Sequence, residues 1–241
     1  PVQVSAEILT ELARRGEQAL AGKLDGIVVT VPAYFDEAQR QATRDAAAIA
    51  GIPVLRLLNE PTAAAIAYGL DSGEQGIIAI YDLGGGTFDI SLLNLQKGDF
   101  EVLATAGDTS LGGDDFDESL VRILLNRSQY EGDLDASSRR ALLLEAKAIK
   151  EDLSRHDSVR VDLNLPAFSW SGTVSRSEFE QAIQDLVESS IKACRRAIRD
   201  AGLTEIEVKQ VVLVGGSTRV PLVRRRGESF FGFQPLSHFD P

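Results

Sequence analysis

The sequence predicts a mixed α/β protein of two lobes, an inference that rests on three observations. Short apolar, β-branched runs alternate with helical stretches in residues 1–75, which is typical of a largely parallel sheet. From residue 76 onward, consecutive strand-like segments are joined by short turns, which predicts an antiparallel meander. The chain has 241 residues, 44% hydrophobic and 25% charged, a balance that supplies enough apolar side chains for one large domain or two moderate lobes.

The first lobe is predicted to contain strands that are buried on both faces, with helices between them. Asp36 can cap a helix whose capping-box partner is Gln39 and whose end is set by Gly51. Pro61 suits the first turn of the next helix. The predicted helices span residues 5–20, 36–50 and 61–69, and the predicted strands span 26–31 and 54–58.

The second lobe is predicted to combine the meander with longer helices. Ser175 and Glu178 form a second capping box, which opens a long helix that ends at Gly202. A turn cluster at 71–73 marks a boundary between the lobes near residues 70–76. The other predicted elements are strands at 76–81, 86–95, 100–106, 158–163 and 210–214, and helices at 120–125 and 136–153.

Charge and composition limit which partners and which cellular location the sequence predicts. The formal net charge is −11, which argues against a nucleic-acid or anionic-membrane surface. The single cysteine, Cys194, permits no internal disulfide and fits a reducing compartment, so we expect a cytoplasmic location. No apolar run reaches the length of a membrane span, and no signal segment opens the chain. Because the chain begins at Pro1 and contains no methionine, we expect it to be an excised part of a longer protein.

Three successive glycines stand between two predicted strands in the run D-L-G-G-G-T-F-D at 82–89. Without Cβ atoms, they let the backbone turn sharply and bring its N–H groups close to a ligand, where successive amides form a concave anion site. Thr87 adds a hydroxyl, and Asp82 and Asp89 add carboxylates that suit a magnesium ion beside bound phosphate, partly through water. The alternative is a glycine-rich hairpin whose acids are solvated. The chain has neither a dinucleotide fingerprint nor a G-x-x-x-x-G-K-[ST] loop.

A second glycine loop, G-G-S-T-R at 215–219, directly follows the last predicted strand and opens a helix. The end of a strand that leads into a helix is a favoured ligand position in α/β folds. Arg219 offers a planar guanidinium that can stack on a base. Taken alone, this segment is equally well explained as a tight turn with a surface arginine. Together with the first loop, it is predicted to form the second wall of one cleft.

Five segments together resemble the seventy-kilodalton heat-shock (DnaK-like) chaperones, in their order and spacing, over the whole chain. They are V-T-V-P-A-Y-F at 29–35, N-E-P-T-A-A-A at 59–65, D-L-G-G-G-T-F-D at 82–89, L-G-G-D-D-F-D at 111–117 and V-G-G-S-T-R at 214–219.

The resemblance implies the actin-like ATPase (ribonuclease H-like) fold of that family's nucleotide-binding domain, with the N-terminal part of the first lobe missing. Residues 1–75 would be the remainder of lobe I, an incomplete subdomain IA. Residues 76–241 would be lobe II, with subdomain IIA at 76–112 and 190–241 and subdomain IIB at 113–189.

The resemblance also assigns roles around bound ATP or ADP. Asp82 would organise magnesium and water, Asp89 would lie near the phosphates, and Glu60 would position the attacking water. The β- and γ-phosphates would be held by Gly84, Gly85, Gly86 and Thr87. The adenosine contacts would be Lys150, Ser154, Gly215, Gly216, Ser217 and Arg219. Without the resemblance, Lys150 and Ser154 would be interpreted as an exposed helix residue and a helix-end cap, and the stretch 147–151 departs from the commonest family pattern.

Four further residues match positions that couple the family's domain to its partners. Pro32 and Arg40 match the proline switch and the arginine that relays its state; the alternative is a strand terminator and a solvated helix residue. Arg56 and Asn59 match positions at which a J-domain co-chaperone docks, although an arginine at a strand end is more often structural.

Several local spellings, among them C-R-R-A-I-R-D-A-G at 194–202, resemble the HscA-like branch, which serves iron–sulfur cluster assembly. That resemblance implies a J-domain co-chaperone as one partner. A client peptide or iron–sulfur scaffold protein would bind through a peptide-binding domain that these residues do not include. Cys194 is expected to be a buried structural thiol, since one cysteine cannot build a cluster site.

The family's first phosphate segment, an aspartate–glycine–threonine run, and its lysine for the transferring phosphate are missing from these residues, and the chain stops at Asp240-Pro241. We therefore expect the chain by itself to hydrolyse ATP negligibly and to bind it weakly, if at all. The alternatives within the same superfold are a sugar or acetate kinase and an actin-like filament protein, which fold alone does not separate from a chaperone ATPase.

Overall fold

The structure is a computed structural model that describes residues 1–69, 75–96 and 99–236. The chain divides into two compact units, Pro1–Ser72 and Gly73–Pro241. The predicted turn at 71–73 and the chain end at 240–241 lie outside the described residues, so the predicted lobe boundary stays a prediction. No helix in the described part of the chain is both long and apolar enough to cross a membrane.

The first unit is built as strand, helix and strand behind an N-terminal helix. Its strands β1 and β2 pair in parallel, as the alternating pattern predicted. The predicted capping box is confirmed: Asp36 accepts from the Gln39 amide at 2.8 Å, and the Gln39 side chain accepts from the Asp36 amide at 3.0 Å. The elements are α1 (Val2–Leu20), β1 (Ile27–Val31), α2 (Glu37–Ile49), β2 (Val54–Asn59) and α3 (Glu60–Ala67).

The prediction that β1 and β2 are buried on both faces is wrong for the residues that the structure describes. Val28 in β1 is 56% exposed and Leu55 in β2 is 65% exposed. Both runs are continuously apolar, which suggested two covered faces, but α1 to α3 cover only part of this strand pair. An apolar run indicates that a strand can be buried on both faces. Whether it is buried depends on which other elements of the fold pack against those faces.

The second unit is organised around a mixed sheet with the strand order β5-β4-β3-β8. Strands β3, β4 and β5 form the predicted antiparallel meander, and β8 joins β3 in parallel. The elements are β3 (Gly76–Leu83), β4 (Phe88–Gln96), β5 (Asp99–Asp108), α4 (Gly113–Ser128), α5 (Ala136–Leu153), β6 (Ser158–Asn164), β7 (Ser169–Ser175), α6 (Arg176–Asp200), β8 (Val208–Val214) and α7 (Pro221–Phe231). Short 3₁₀ turns occupy Glu205–Glu207 and Gly216–Arg219.

The core of the second unit lies between this sheet and its helices. Tyr81, Phe88 and Phe116 are almost wholly buried there, and the Tyr81 hydroxyl lies 2.6 Å from Ser190 Oγ on α6. Cys194 is also fully buried on α6, as expected for a structural thiol. This packing fixes the end of β3 and the start of β4, between which the three-glycine turn lies.

Three local predictions need correction. Helix α4 begins at Gly113, whereas apolar spacing had placed its start at residue 120. Strand β7 had no prediction because its apolar residues are sparse. The box at Ser175 is half formed: Ser175 Oγ accepts from the Glu178 amide at 3.2 Å, but the Glu178 carboxylate pairs with Arg127 at 2.8 Å. The Glu178 side chain thus forms an ion pair with the distant Arg127 instead of the hydrogen bond to the Ser175 amide that would complete the capping box.

Candidate functional site

The three-glycine turn closes the β3–β4 hairpin between the paired residues Leu83 and Phe88. The Gly84 amide donates to Thr87 O at 3.1 Å, and Gly85, Gly86 and Thr87 are exposed. None of the three glycines has a backbone φ between +20° and +160°, so the sharp turn does not depend on left-handed glycine conformations. A Cβ on Gly86 would meet nothing within 4 Å. The missing side chains instead leave the amides open to a ligand.

The carbonyl groups of this turn face the start of α4. Gly84 O accepts from the Gly113 amide at 2.9 Å, and Gly85 O accepts from the Asp114 amide at 2.8 Å. In a trans peptide the C=O and the following N–H point in opposite directions, so the amides of Gly85 and Gly86 point away from α4. Within residues 1–69, 75–96 and 99–236, neither amide has a hydrogen-bond acceptor. Two adjacent, unsatisfied, exposed amides form the kind of concavity that binds an anion.

Two glycines that received no role from the sequence make this contact with α4 possible. A Cβ on Gly112 would lie 2.2 Å from Gly85 O, and a Cβ on Gly113 would lie 2.3 Å from Ser217 Oγ. Both positions are in the L-G-G-D-D-F-D segment, whose spelling was recognised while its contact with the glycine turn was not. A prediction that α4 begins at Gly113 would have placed both glycines at the start of this helix and so marked them as candidates for the site.

Two carboxylates flank the turn. Asp82 and Asp89 are directly opposite each other across β3 and β4. Burial raises the pKa of Asp82 to about 6, with a further contribution from the charge of Asp89, and burial also raises the pKa of Asp89. Two partly buried carboxylates whose charged forms are disfavoured would be stabilised by a cation. This donor set fits magnesium.

Asp82 and Asp89 would supply only part of a coordination shell. Among the described residues, no group of three acidic, histidine or cysteine side chains is arranged to hold a metal ion. Magnesium in nucleotide sites is commonly bound by one or two carboxylates, several waters and phosphate oxygens. The pair is therefore suited to magnesium that arrives with a phosphate ligand.

The second glycine loop packs directly against the first. Gly215 has a φ of +87°, and a Cβ there would lie 2.3 Å from Leu83 O, so this position requires glycine for both reasons. Ser217 Oγ donates to Gly84 O at 2.8 Å. The structure thus brings together the two loops that the sequence placed on one cleft.

Both loops line one cavity of about 470 Å³, a size typical of small-molecule sites. Helix α5 supplies the opposite wall. The lining residues that the sequence assigned are Gly84, Gly85, Lys150, Ser154, Gly216, Ser217 and Arg219. The charged lining residues that it missed are Asp114, Asp117, Lys147, Glu151, Arg155 and Arg224. Five cationic and three acidic side chains line the cavity, so it favours an anionic ligand in a protein whose net charge is −11.

Lys150 is buried, so the alternative that it is an exposed helix residue is wrong. Its Nζ lies 2.9 Å from Gly113 O and 2.8 Å from Asp117 Oδ1. Burial raises the pKa of Asp117, while the adjacent Lys150 ammonium acts in the opposite direction. Ser154 ends α5, and its Oγ donates to Lys150 O at 3.1 Å. Both residues line the cavity together with Arg219.

The remaining predicted residues belong to the first unit and are described there. Arg40 is not a solvated helix residue: it donates to Phe35 O at 3.1 Å and to Asn59 Oδ1 at 2.9 Å, which ties α2 to the segment after Pro32. Asn59 is thus engaged inside the unit, whereas Arg56 is exposed on β2. Glu60 is the first residue of α3.

Comparison with known proteins places this geometry in a family context. The model of the family described as Hsp70 protein matches residues 1–241. The chain is 61% identical to a chaperone protein HscA homolog of Aeromonas salmonicida, over 242 residues. It is 59% identical to a homolog of the same name from Azotobacter vinelandii and 58% identical to the chaperone protein HscA of Shigella boydii serotype 18, each over 241 residues. Each match covers 100% of this chain and 38% of the relative's length.

Proposed function

Because the chain belongs to the Hsp70 protein family, we propose that it is part of an ATP-binding and ATP-hydrolysing domain. In the whole protein, the nucleotide state of this domain would govern the binding and release of client peptides. The observation that carries the proposal is the glycine turn, whose carbonyls are held by α4 while two adjacent amides face open space beside a cationic cavity. Such an arrangement suits the terminal phosphates of a nucleotide.

The cavity supports a binding mode for the rest of the nucleotide. Adenosine would lie between α5 and the second glycine loop, with the Arg219 guanidinium against the base and Lys150 and Ser154 on the opposite wall. The phosphates would extend from there to the amides of Gly85 and Gly86.

Phosphoryl transfer depends on positioning and on neutralising the charge that spreads over the phosphate oxygens. The turn amides and the Thr87 hydroxyl would bind and orient the phosphates. Asp82 and Asp89 would hold magnesium, partly through water, and bound magnesium supplies the charge neutralisation. Glu60 would position the attacking water, the role that its motif implies.

The ATP turnover expected of the 241 residues alone differs from the activity proposed for the whole protein. They contain no aspartate–glycine–threonine phosphate segment, and one glycine turn supplies only part of the positioning that phosphoryl transfer requires. We therefore expect this chain to bind ATP weakly and to hydrolyse it negligibly. Steady-state phosphate release measures this directly, and a turnover as fast as that of an intact family domain would contradict it.

Substituting Gly86→Val tests whether the turn holds phosphate. The valine side chain has free space in the unliganded chain but would cover the amides, so ADP affinity should fall by about tenfold or more. Adenosine, which lacks phosphates, serves as the internal control and should bind as in the wild type. Calorimetric titrations with magnesium present give both affinities. Equal losses for ADP and adenosine would contradict the assignment of the turn to the phosphates.

The proposal extends to the HscA-like branch, which the names of the three relatives support. A J-domain co-chaperone would dock near Arg56 and Asn59, and Pro32 and Arg40 would relay the nucleotide state. The client would be a peptide or an iron–sulfur scaffold protein, in the cytoplasm. A sugar or acetate kinase and an actin-like filament protein are not favoured, since relatives named as chaperones match the whole chain.

A further inference from the structure

Asp117 on α4 is a buried acid to which neither the motifs nor the proposed function gives a role. Its side chain is 7% exposed, and its Oδ1 is 2.8 Å from Lys150 Nζ, whose side chain is 10% exposed. Removing two opposite charges from water is costly, and such a pair is often no more stabilising than apolar residues of the same size. The position of this pair in the lining of the cavity therefore suggests a purpose other than stability.

A continuous set of contacts leads from Asp117 to the glycine turn. Lys150 Nζ, held by Asp117, donates to Gly113 O at 2.9 Å. The Gly113 amide donates to Gly84 O at 2.9 Å, and Ser217 Oγ donates to the same oxygen at 2.8 Å. We name these five residues, Asp117, Lys150, Gly113, Gly84 and Ser217, the turn brace.

The turn brace fixes the direction of the phosphate-binding amides. Gly113 is held at both its carbonyl and its amide, and a Cβ there would lie 3.0 Å from Lys150 Nζ and closer still to Ser217 Oγ. With Gly84 O held from two sides, the plane of the Gly84–Gly85 peptide is set, and the Gly85 amide must point away from α4. An amide whose direction is fixed before binding loses less conformational entropy when it binds a phosphate.

We propose that Asp117 is a positioning residue for the terminal phosphates, which acts on the glycine turn through Lys150 and Gly113 and not by direct contact with the phosphates. The proposal rests on the proposed function, in which the glycine turn binds phosphate. An asparagine at this position would keep the shape but leave the Lys150 ammonium without its counter-charge. The ammonium would then move toward water in the cavity, and Gly113 O would keep only the hydrogen bond that α4 itself supplies, losing the second donor that fixes its position.

The first test uses the unliganded chain and the variant Asp117→Asn. NMR hydrogen exchange should show the Gly113 and Asp114 amides, which donate to the turn, exchanging about tenfold faster or more. The matched control is Glu118→Gln, which removes the same charge from the next residue of α4, a half-buried acid paired with Arg139 at 2.7 Å. Its exchange at Gly113 and Asp114 should match the wild type.

The second test measures binding of magnesium pyrophosphate, a probe without adenosine. Asp117→Asn should weaken pyrophosphate and ADP by about tenfold, while Glu118→Gln should change neither. Ser217→Ala removes the donor at the other end of the turn brace and should also weaken pyrophosphate. If Asp117→Asn does not fold, Lys150→Met takes its place, since it removes the link from Asp117 to Gly113 O: it should also weaken pyrophosphate by about tenfold, and an unchanged affinity would overturn the positioning role.

The outcomes of these tests distinguish the positioning role of Asp117 from the proposed function. Unchanged exchange at Gly113 and Asp114, or an unchanged pyrophosphate affinity beside a weakened adenosine affinity, would overturn the positioning role and leave Asp117 a structural residue of the cavity. A wild-type chain that binds neither ADP nor pyrophosphate would overturn the proposed function, while hydrogen exchange would still decide whether the turn brace exists.

Discussion

Replacing Gly112 with alanine is expected to lower the affinity for ADP by about a hundredfold. The added Cβ would lie 2.2 Å from Gly85 O and 2.6 Å from the Gly86 amide nitrogen. These are backbone atoms, which cannot rotate away as a side chain can, so the turn itself must move. Gly112 has an extended backbone that alanine also adopts, with φ −167°, so the effect is steric and not conformational. Overpacking of this kind should also lower the free energy of unfolding by about 1–3 kcal/mol.

The matched control is Gly227→Ala in the interior of α7. There the added methyl would meet only Pro235 Cγ at 3.8 Å, and alanine is the better helix former. This variant should keep its affinity for ADP and gain a little stability. Calorimetry and denaturant unfolding measure both quantities. If Gly112→Ala binds ADP as tightly as the wild type, the contact between α4 and the turn does not aim the amides.

Replacing Asp82 with asparagine is expected to stabilise the unliganded chain at pH 7 and to abolish its magnesium-dependent affinity for ADP. Burial raises the pKa of Asp82 from 3.8 in the unfolded chain to about 6, so the folded state binds the proton more tightly. Between these values, wild-type stability therefore rises as the pH falls. At pH 7 both states are ionised and the charged form is disfavoured by folding, a cost of about 2–3 kcal/mol that asparagine removes.

The stabilisation by Asp82→Asn should be largest at pH 7, should shrink as the pH falls through about 6, and should disappear only below 3.8, where Asp82 is neutral in both the folded and the unfolded wild type. Urea unfolding of both proteins across this range measures the difference. Glu101→Gln removes an exposed carboxylate from the same sheet and should change the unfolding free energy little at any pH. An Asp82→Asn variant that is less stable than the wild type at pH 7 would contradict the burial argument. A variant whose ADP affinity still increased with magnesium would contradict the metal assignment.

The fold could be predicted wherever the determining contacts are local. Asp36 and Gln39 lie three positions apart, and their capping box forms as predicted. The short turns between consecutive strand-like segments predicted the β3–β4–β5 meander, because each strand pairs with its neighbour in sequence. The faces of β1 and β2 were mispredicted because their burial depends on which other elements cover them.

The residues of the candidate site were likewise predictable only where their roles depend on local sequence. The glycine turn, its acids and the second loop were predictable because each is a short segment of chemically distinctive residues. Gly112 and Asp117 were not, since their importance arises from contacts with Gly85 and Lys150, which are distant in sequence. The misplaced start of α4 concealed both, because only a helix that begins at Gly113 aims its amides at the glycine turn.

A crystal structure of this chain with magnesium and ADP would test most directly whether the amides of the glycine turn hold phosphate. We expect oxygens of the terminal phosphate at about 2.7–3.2 Å from the amide nitrogens of Gly85 and Gly86, with the adenine beside Arg219. Phosphates bound elsewhere, with both amides still facing water, would contradict it.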